Sequence, residues 1–301
     1  MNPTQHIQRT YYLIVSLFWL ATALPMALII LLGQARGLDL FQVGLLMGVY
    51  SLTIVLLEVP TGGLADSIGR KRVAIAAYSF ITVAGIVILF AFSFPVILAG
   101  FILTGIGRAL SSGALDAWFV DTLQAADPEI DLQPALARVE TFTFLALGLG
   151  TLLGSLIPRL FSGLPPDGTA VLTPFSMPIL FAIVVNVLLL ALTILLVKED
   201  PTPTGANNWR QGFREVPAII HTGFTLSRRN PIILLLLGAT LASGLAVIGL
   251  ESFWQPYFAG LTGGSEGKSL LFGLVMGGNF LVGMVGSLLA TPLSRLMGQR
   301  Y

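Results

Sequence analysis

Two long apolar segments of this chain are joined by the stretch Gly62-Gly63-Leu64-Ala65-Asp66-Ser67-Ile68-Gly69-Arg70-Lys71-Arg72. Paired glycines permit a tight exit from a helix, and the glycine before the basic triplet can adopt a positive φ angle. The triplet is attracted to an anionic leaflet, and the acid upstream can meet a helix N-terminus, where the dipole favours negative charge. An ordinary positive-inside turn explains the triplet but not the acid and the glycines at these spacings. The stretch therefore indicates a specialised loop between two membrane-spanning helices.

The segments on either side belong to a chain that is apolar throughout. Of its 301 residues, 55% are hydrophobic and 10% are charged, whereas a soluble domain carries about 25% charged residues. The mean hydropathy is +0.87. Eight apolar segments are long enough to cross a membrane as helices; strands of a membrane barrel would be shorter and would alternate in polarity. The segments lie near residues 11–32, 40–60, 73–92, 95–120, 135–160, 174–197, 231–258 and 269–292. The sequence therefore predicts an all-α polytopic membrane protein with eight spans.

Composition also excludes several kinds of chemistry. The chain has no cysteine, which rules out disulfides, thiolate metal sites and cysteine nucleophiles. Its two histidines, His6 and His221, lie in polar stretches and suggest no metal site. The net charge of +1 gives no electrostatic basis for nucleic-acid binding. A phosphate-binding Gly-x-x-x-x-Gly-Lys-Ser/Thr loop does not occur, so neither ATP nor another cofactor is predicted.

Basic residues lie mostly on one side of the predicted spans. With the N-terminus inside, the inner segments carry twelve Lys and Arg residues and the outer loops carry three, namely Arg36, Arg159 and Lys268. This bias places the N-terminus in the cytoplasm. The first apolar run continues past Ala21-Thr22-Ala23, which could pass for a cleavage site, to Leu32, and this favours an uncleaved span over a signal peptide.

The longest polar interruption, residues 198–230, separates six spans from two. Apolar residues in its second half recur at helical spacing, which predicts a short helix lying in the cytoplasmic interface; a solvated linker is the alternative. The predicted parts are an N-terminal six-helix transmembrane bundle over residues 1–198, a cytoplasmic linker over 199–230, and two helices of a second bundle over 231–301.

The stretch between the second and third spans resembles the signature loop of the major facilitator superfamily. The resemblance rests on Gly63, Leu64, Ala65, Asp66, Gly69, Arg70 and Lys71, with Ser67 in place of the usual arginine. The preceding residues 57–62 resemble the drug-efflux branch. The family has twelve spans in two six-helix bundles, so this chain is expected to be truncated after its eighth span. Leu293, Gly298 and Arg300 look like a degenerate second copy of the motif, where a second bundle would have one.

The resemblance also implies a conformational lock at the cytoplasmic side. In the family, an acid at the end of the fourth span pairs with the loop arginine, so we expect Asp121 to pair with Arg70. The other expected lock residues are Gly63, Asp66, Gly69 and Lys71. Glu58 either joins this charge cluster or extends to the interface on its own.

Ionisable residues inside a span cost several kcal/mol, roughly 2.5 to 3.5 on insertion scales, and therefore suggest function. Arg108 and Asp116 share the predicted fourth span, about 12 Å of rise and about 80° of rotation apart. They can share a cavity without touching. Arg108 resembles the family's fourth-span arginine, which is tied to proton coupling; a structural arginine is the alternative. Glu251 and Trp254, near the outer end of the seventh span, are candidates for substrate contact or for an interfacial aromatic belt.

The leading hypothesis is a secondary transporter of a small solute in the plasma (inner) membrane, working by alternating access. Efflux of drug-like amphiphiles is favoured by resemblance, and a proton is the candidate coupling ion. Two observations weaken proton antiport, since the first span has no acid and the fifth lacks the family's Gly-Pro pair. One alternative is a non-transporting fragment or scaffold that needs a partner. Another is an intramembrane lipid-modifying enzyme, although no histidine or cysteine lies in a span.

Overall fold

The computed structural model describes residues 3–165, 168, 170–199, 218, 222, 225–226, 230–261 and 269–296, with the backbone alone at 59–60, 62–63, 66–67, 245–252 and 289–296. Every extended regular element in these ranges is a helix. They are α1 (Pro3–Ala23), α2 (Ile29–Ala35), α3 (Leu40–Ile68), α4 (Arg70–Phe90), α5 (Phe94–Ser111), α6 (Ala114–Ala126), α7 (Leu132–Leu160), α8 (Met177–Leu196), α9 (Pro231–Leu261) and α10 (Ser269–Leu296). The predicted interfacial helix falls in 199–230, which lies largely outside the described residues.

Within these ranges, six helical segments are long and apolar enough to cross a membrane. They are Leu40–Glu58, Arg70–Phe90, Phe94–Ala126, Leu132–Leu160, Met177–Leu196 and Ser269–Leu288, and α9 adds the shorter apolar stretch Pro231–Gly244. The prediction of an all-α polytopic membrane protein is confirmed. The prediction of eight continuous spans needs correction, because the first and the fourth are each made of two helices.

The first span is interrupted between α1 and α2. Pro25 lies in this break and has no backbone N–H, so it cannot continue the helical hydrogen bonds. Tight turns replace them: the Met26 N–H donates to the Ala23 carbonyl at 3.1 Å, and the Leu28 N–H donates to the Pro25 carbonyl at 2.9 Å. The break is buried, since Ala27 and Leu28 are fully inaccessible. Hydropathy cannot detect such a break because its residues are as apolar as the helices beside it.

Backbone polar groups of this break must be satisfied by neighbouring elements, because hydrocarbon provides no partners. The side-chain Nε2 of Gln255 on α9 donates to the Met26 carbonyl at 3.2 Å. Gln255 is 1% exposed, so this is an interior contact. It joins the seventh span to the first across the two parts of the chain.

The fourth span is interrupted at Ser112 and Gly113. Gly113 has a φ of 74°, a left-handed conformation that costs glycine less than any other residue. The chain therefore leaves α5 and begins α6 within the predicted span. Asp116 lies in the first turn of α6, where the helix dipole favours an acid.

The quoted stretch at 62–72 is more helical than predicted. Instead of ending near residue 60, α3 continues to Ile68, and α4 begins at Arg70 after a single linking residue. That residue is Gly69, whose φ of 101° agrees with the positive φ expected for it. The sharp reversal between the two helices therefore takes place at one glycine.

Arg36, between α2 and α3, stabilises the end of α4. Its Nη1 and Nη2 atoms donate to the carbonyls of Ile88 and Leu89 at 2.6 and 2.8 Å. These carbonyls belong to the last helical turn, where the usual i+4 N–H donors are missing. Burial lowers the pKa of Arg36 from its ordinary value. Arg36 is therefore a helix-capping residue within the outer connection.

The helices pack around a common core. α1 contacts α6, α7 and α8; α4 contacts α5, α6 and α8; and α3 packs on α5. The central buried cluster includes Tyr11, Phe18, Tyr78, Trp118 and Phe119. α10 packs along α7, and α9 contacts α2 and α3. The last two spans therefore lie against α2 and α3 and against the fifth span of the first bundle.

Small residues allow the closest helix contacts. A β-carbon on Gly150 of α7 would lie 2.8 Å from the Leu20 carbonyl oxygen of α1, and one on Gly154 would overlap the Leu24 carbonyl oxygen. On the other face of α7, a β-carbon on Gly277 of α10 would lie 3.1 Å from the Gly148 carbonyl oxygen. Backbones approach this closely in membranes only where side chains are small.

Candidate functional site

A hydroxyl–carboxylate contact links the first and fourth spans. The Tyr11 hydroxyl on α1 donates a hydrogen bond to Asp116 Oδ1 on α6. The Tyr11 ring is stacked on Phe119, with ring centroids 4.3 Å apart and planes 12° apart. Tyr11 is buried, whereas Asp116 is exposed on the bundle surface. A fixed tyrosine therefore holds a carboxylate that remains accessible.

Other titratable groups surround this contact. The Tyr78 side chain on α4 is in the electrostatic field of both Asp116 and Arg108. Glu140 on α7 acts on the Tyr11 hydroxyl in the same way. Groups from α1, α4, α5, α6 and α7 thus form one electrostatic cluster. Arg108 and Asp116 both belong to this cluster because both act on Tyr78. Among the described contacts they form no ion pair with each other.

Arg108 lies over two neighbouring aromatic rings of α1. Its guanidinium carbon is 5.2 Å from the Phe18 ring centroid and 4.8 Å from that of Trp19. Both distances fall within the range of cation–π attraction. Arg108 is in the last turn of α5, where the helix dipole favours a cation. The aromatic pair is a feature that helical spacing in the sequence did not reveal.

Arg70, at the start of α4, and Asp121, in α6, are in direct contact. Arg70 Nη1 lies 2.5 Å from Asp121 Oδ2, with side chains 20% and 63% exposed. The neighbouring Lys71 uses its Nζ to donate to the Ile194 carbonyl of α8 at 2.8 Å. Gly69 supplies the reversal between α3 and α4. Gly63 and Asp66 lie where the structure describes the backbone alone.

Glu199 also contacts the start of α4, and sequence reasoning missed it. Its two carboxylate oxygens accept hydrogen bonds from the backbone N–H groups of Arg70 and Lys71, at 2.7 and 2.9 Å. These are the first N–H groups of α4, which have no intrahelical acceptor. Trp118 Nε1 donates to the adjacent Lys198 carbonyl at 2.9 Å. An acid directly after an apolar span was the available signal, but nothing local to it indicates a partner 128 residues away.

Glu58 contacts the break in the fourth span instead of the Arg70 group. Its Oε1 accepts a hydrogen bond from Ser112 Oγ at 2.7 Å. One turn away, Thr61 Oγ1 donates to the Ala109 carbonyl at 2.9 Å. Neither expectation for Glu58, as an interfacial side chain or as a member of the charge cluster, included this contact. Side chains of the second span therefore form hydrogen bonds with the fourth span at the break between α5 and α6.

The outer candidates are separated from the central cluster. Trp254 is half-buried and packs against Phe272, with ring centroids 5.7 Å apart, in a cluster that includes Ala27, Leu28 and Leu31. The Glu251 side chain lies outside the described part. Its neighbour Gln255, which sequence reasoning did not single out, makes the described polar contact at this end. Among the described residues, no group of three metal-ligating side chains is present.

Comparison with known proteins identifies the arrangement. A model of the Major Facilitator Superfamily matches residues 11–301. The crystal structure of the nucleoside transporter NupG superposes with a TM-score of 0.65 and 11% sequence identity, covering 99% of this chain and 67% of that chain. At this identity the likeness concerns the fold. No curated protein matches the sequence.

Proposed function

This chain belongs to the Major Facilitator Superfamily, whose members are secondary transporters, and we propose that it exports a small amphiphilic solute by alternating access. The membrane is the plasma (inner) membrane, with the N-terminus cytoplasmic. Family membership, together with the transporter fold it shares with NupG, places the protein among transporters and not among enzymes. The outward direction and the drug-like character of the solute rest on the resemblance of residues 57–71 to the drug-efflux branch.

The proposal divides the chain into three parts. Residues 1–198 form the N-terminal bundle, residues 199–230 link it to the rest, and residues 231–301 are the opening helices of a second bundle. The observation that carries the proposed function is the Tyr11–Asp116 contact. It holds an accessible carboxylate of the fourth span through a hydroxyl from another span, and an ionisable group within a span needs a functional reason.

Asp116 is the proposed carrier of the coupled proton. It accepts a hydrogen bond from the Tyr11 hydroxyl and acts electrostatically on Tyr78. Glu140 acts on the same Tyr11 hydroxyl, and Arg108 acts on the same Tyr78. An ionised Asp116 accepts a hydrogen bond from Tyr11, and a protonated one loses much of that attraction. Protonation can therefore loosen α6 from α1. The first span has no acid of its own, and in this proposal Asp116 of the fourth span takes that role.

We expect Asp116→Asn to abolish proton-driven transport. The full-length chain would be reconstituted in proteoliposomes with an imposed pH gradient, and the flux of rhodamine 6G, Nile red and fluorescein would be followed. At least one dye should move with the parent chain, and its rate should fall by about tenfold or more in the variant, as when a general acid–base group is removed. Glu129→Gln, an exposed acid of the α6–α7 loop, is the matched control. Equal gradient-driven rates in Asp116→Asn and in the parent would disprove the coupling role of Asp116. If the parent chain moves none of the three dyes, the result favours the non-transporting scaffold.

The Arg70–Asp121 pair is the proposed cytoplasmic lock. Both side chains reach solvent, and such pairs contribute only about 0.2–1 kcal/mol to stability. Reversing either charge, as Arg70→Asp or Asp121→Arg, should therefore leave Tm nearly unchanged. Transport should fall about fivefold or more, because a shift of roughly 1 kcal/mol between two conformations changes their ratio by that factor.

The double reversal separates a pairing role from an individual one. It restores the opposite charges in exchanged positions, so we expect dye flux to return to at least half the parent rate. Tm of all four proteins gives the folding control. If the double reversal is as inactive as the single ones, the two residues do not act as a pair.

A further inference from the structure

The charge of Arg108 lies deep in the bundle and lacks a described counter-ion. Arg108 is 14 residues after the start of α5 at Phe94, roughly 21 Å along the helix axis, within a hydrocarbon core of about 30 Å. In the part of the chain whose side chains are described, no carboxylate lies within ion-pair distance of it, and no acceptor receives a hydrogen bond from its guanidinium. A cation at such a depth normally pairs with an acid or faces a ligand pathway.

Three acids on the surrounding helices are engaged elsewhere. Asp116 accepts from Tyr11, Glu58 accepts from Ser112, and Asp121 pairs with Arg70. Each of these contacts is made by another span, so none of these carboxylates is free to turn towards Arg108 without losing a partner. The aromatic rings of Phe18 and Trp19 stabilise the cation by cation–π attraction but do not neutralise it.

The surroundings of Arg108 also suit a particular ligand shape. The guanidinium is a planar fork of N–H donors that binds a carboxylate or a phosphate through two parallel hydrogen bonds. Arg108 and Trp19 are both half-buried, so the fork and one indole remain accessible together. An apolar body attached to the anion can then lie against the ring of Trp19.

We propose that Arg108 and Trp19 form the recognition site for an oxyanion group, a carboxylate or phosphate, carried by an apolar solute. This inference rests on the proposed transport function and names the class of its substrate. The solute supplies the negative charge that the described side chains do not. An anionic amphiphile is thus selected over a neutral or cationic one of the same size.

Equilibrium binding to the full-length chain in lipid nanodiscs tests the proposal without a gradient. The probes are 4-phenylbutyrate and phenyl phosphate, with the uncharged 4-phenylbutyramide for comparison, and the readout is intrinsic tryptophan fluorescence. A saturable change should occur with either oxyanion and be absent in Trp19→Phe, which assigns it to that ring. The amide should bind about tenfold or more weakly, since each 1.4 kcal/mol of lost interaction is tenfold in affinity.

Variants of Arg108 give the decisive comparison. Arg108→Gln should abolish the fluorescence response. Arg108→Lys keeps the charge but loses the planar fork of donors, so the affinity should fall about tenfold. The lysine variant also keeps the test valid if the glutamine variant does not fold. Arg72→Gln, which removes an exposed positive charge at the start of α4, should bind as the parent does. Equal affinity for the amide, or binding that persists in folded Arg108→Gln, would overturn the proposal.

One further variant addresses the undescribed acid of α9. If the parent binds neither oxyanion but Glu251→Gln does, Glu251 is the counter-ion of Arg108 and the proposal is wrong. Dye flux of the same variants, measured in proteoliposomes, separates this inference from the proposed transport function. Flux without oxyanion binding contradicts this inference alone, whereas binding without flux leaves it standing and contradicts the proposed transport.

Discussion

Replacing Gly154 by valine is expected to abolish the folded protein. Gly154 on α7 faces the break of the first span, and a β-carbon there would overlap the Leu24 carbonyl oxygen and lie 2.7 Å from the Leu24 carbonyl carbon. The obstacle is backbone, which cannot rotate aside as a side chain would. Overpacking in a tight interior costs about 1–3 kcal/mol or more, and we expect a value at the upper end. The measurement is the yield of monodisperse protein after extraction and the Tm of whatever remains.

Gly286→Val on α10 is the matched control. A β-carbon at Gly286 meets nothing within 4 Å, so the same glycine-to-valine change in a helix is tested without the clash. Its Tm should stay within a few degrees of the parent. If Gly154→Val and Gly286→Val give equal yields and equal Tm values, the close approach of α7 to α1 is not required for folding.

Two adjacent glycines of α10 should respond in opposite ways to the same substitution. A β-carbon at Gly277 would lie 2.9 Å from Leu152 Cγ and 3.1 Å from the Gly148 carbonyl oxygen of α7, whereas one at Gly278 meets nothing within 4 Å. Gly277→Leu should therefore push α10 away from α7. Gly278→Leu should leave the two helices together, because its side chain points into open space.

Cysteine labelling can detect this separation, since the chain contains no cysteine of its own. Ser155 on α7 is fully buried, and it lies against α10 at Gly273. A Ser155→Cys thiol should resist a membrane-permeant maleimide in the parent and in Gly278→Leu. In Gly277→Leu it should react about tenfold faster or more, as expected when an opening free energy falls by at least 1.4 kcal/mol. Equal labelling rates in the two leucine variants would contradict the assigned helix contact.

Much of the fold could be predicted from the sequence, for a physical reason. A span is recognised by the length of its apolar run, and this located the helices from α3 to α8 and α10. Gly69 was expected at a positive φ from its place before a basic triplet, and its φ is 101°. Arg70 and Asp121 were expected together by resemblance, and their atoms lie 2.5 Å apart.

The breaks in the first and fourth spans could not be predicted in the same way. Hydropathy averages over a window, and neither Pro25 nor Gly113 lowers that average enough to divide a span. Whether a proline or glycine interrupts a membrane helix depends on neighbours that satisfy the released backbone groups. Here one of those neighbours is Gln255, which contacts the first break from the seventh span.

The contacts of the candidate site were hidden for a similar reason. Glu199, Glu58 and Trp19 have partners on other helices, and helix periodicity contains no information on which faces meet. Arg108 and Asp116 could be singled out because charge is rare in a span. Their division of roles, one held by a tyrosine and the other by aromatic rings, became visible only when the helices were packed.

The contact between Gln255 and Met26 has a consequence for the order in which the protein is made. The two residues are 229 positions apart in the chain. At about 5–20 residues per second of ribosomal synthesis, roughly 10 to 50 s pass after Met26 is made before its partner exists. During that interval the Met26 carbonyl depends on water or another temporary partner, because hydrocarbon offers none. The first span to emerge is therefore among the last to be completed.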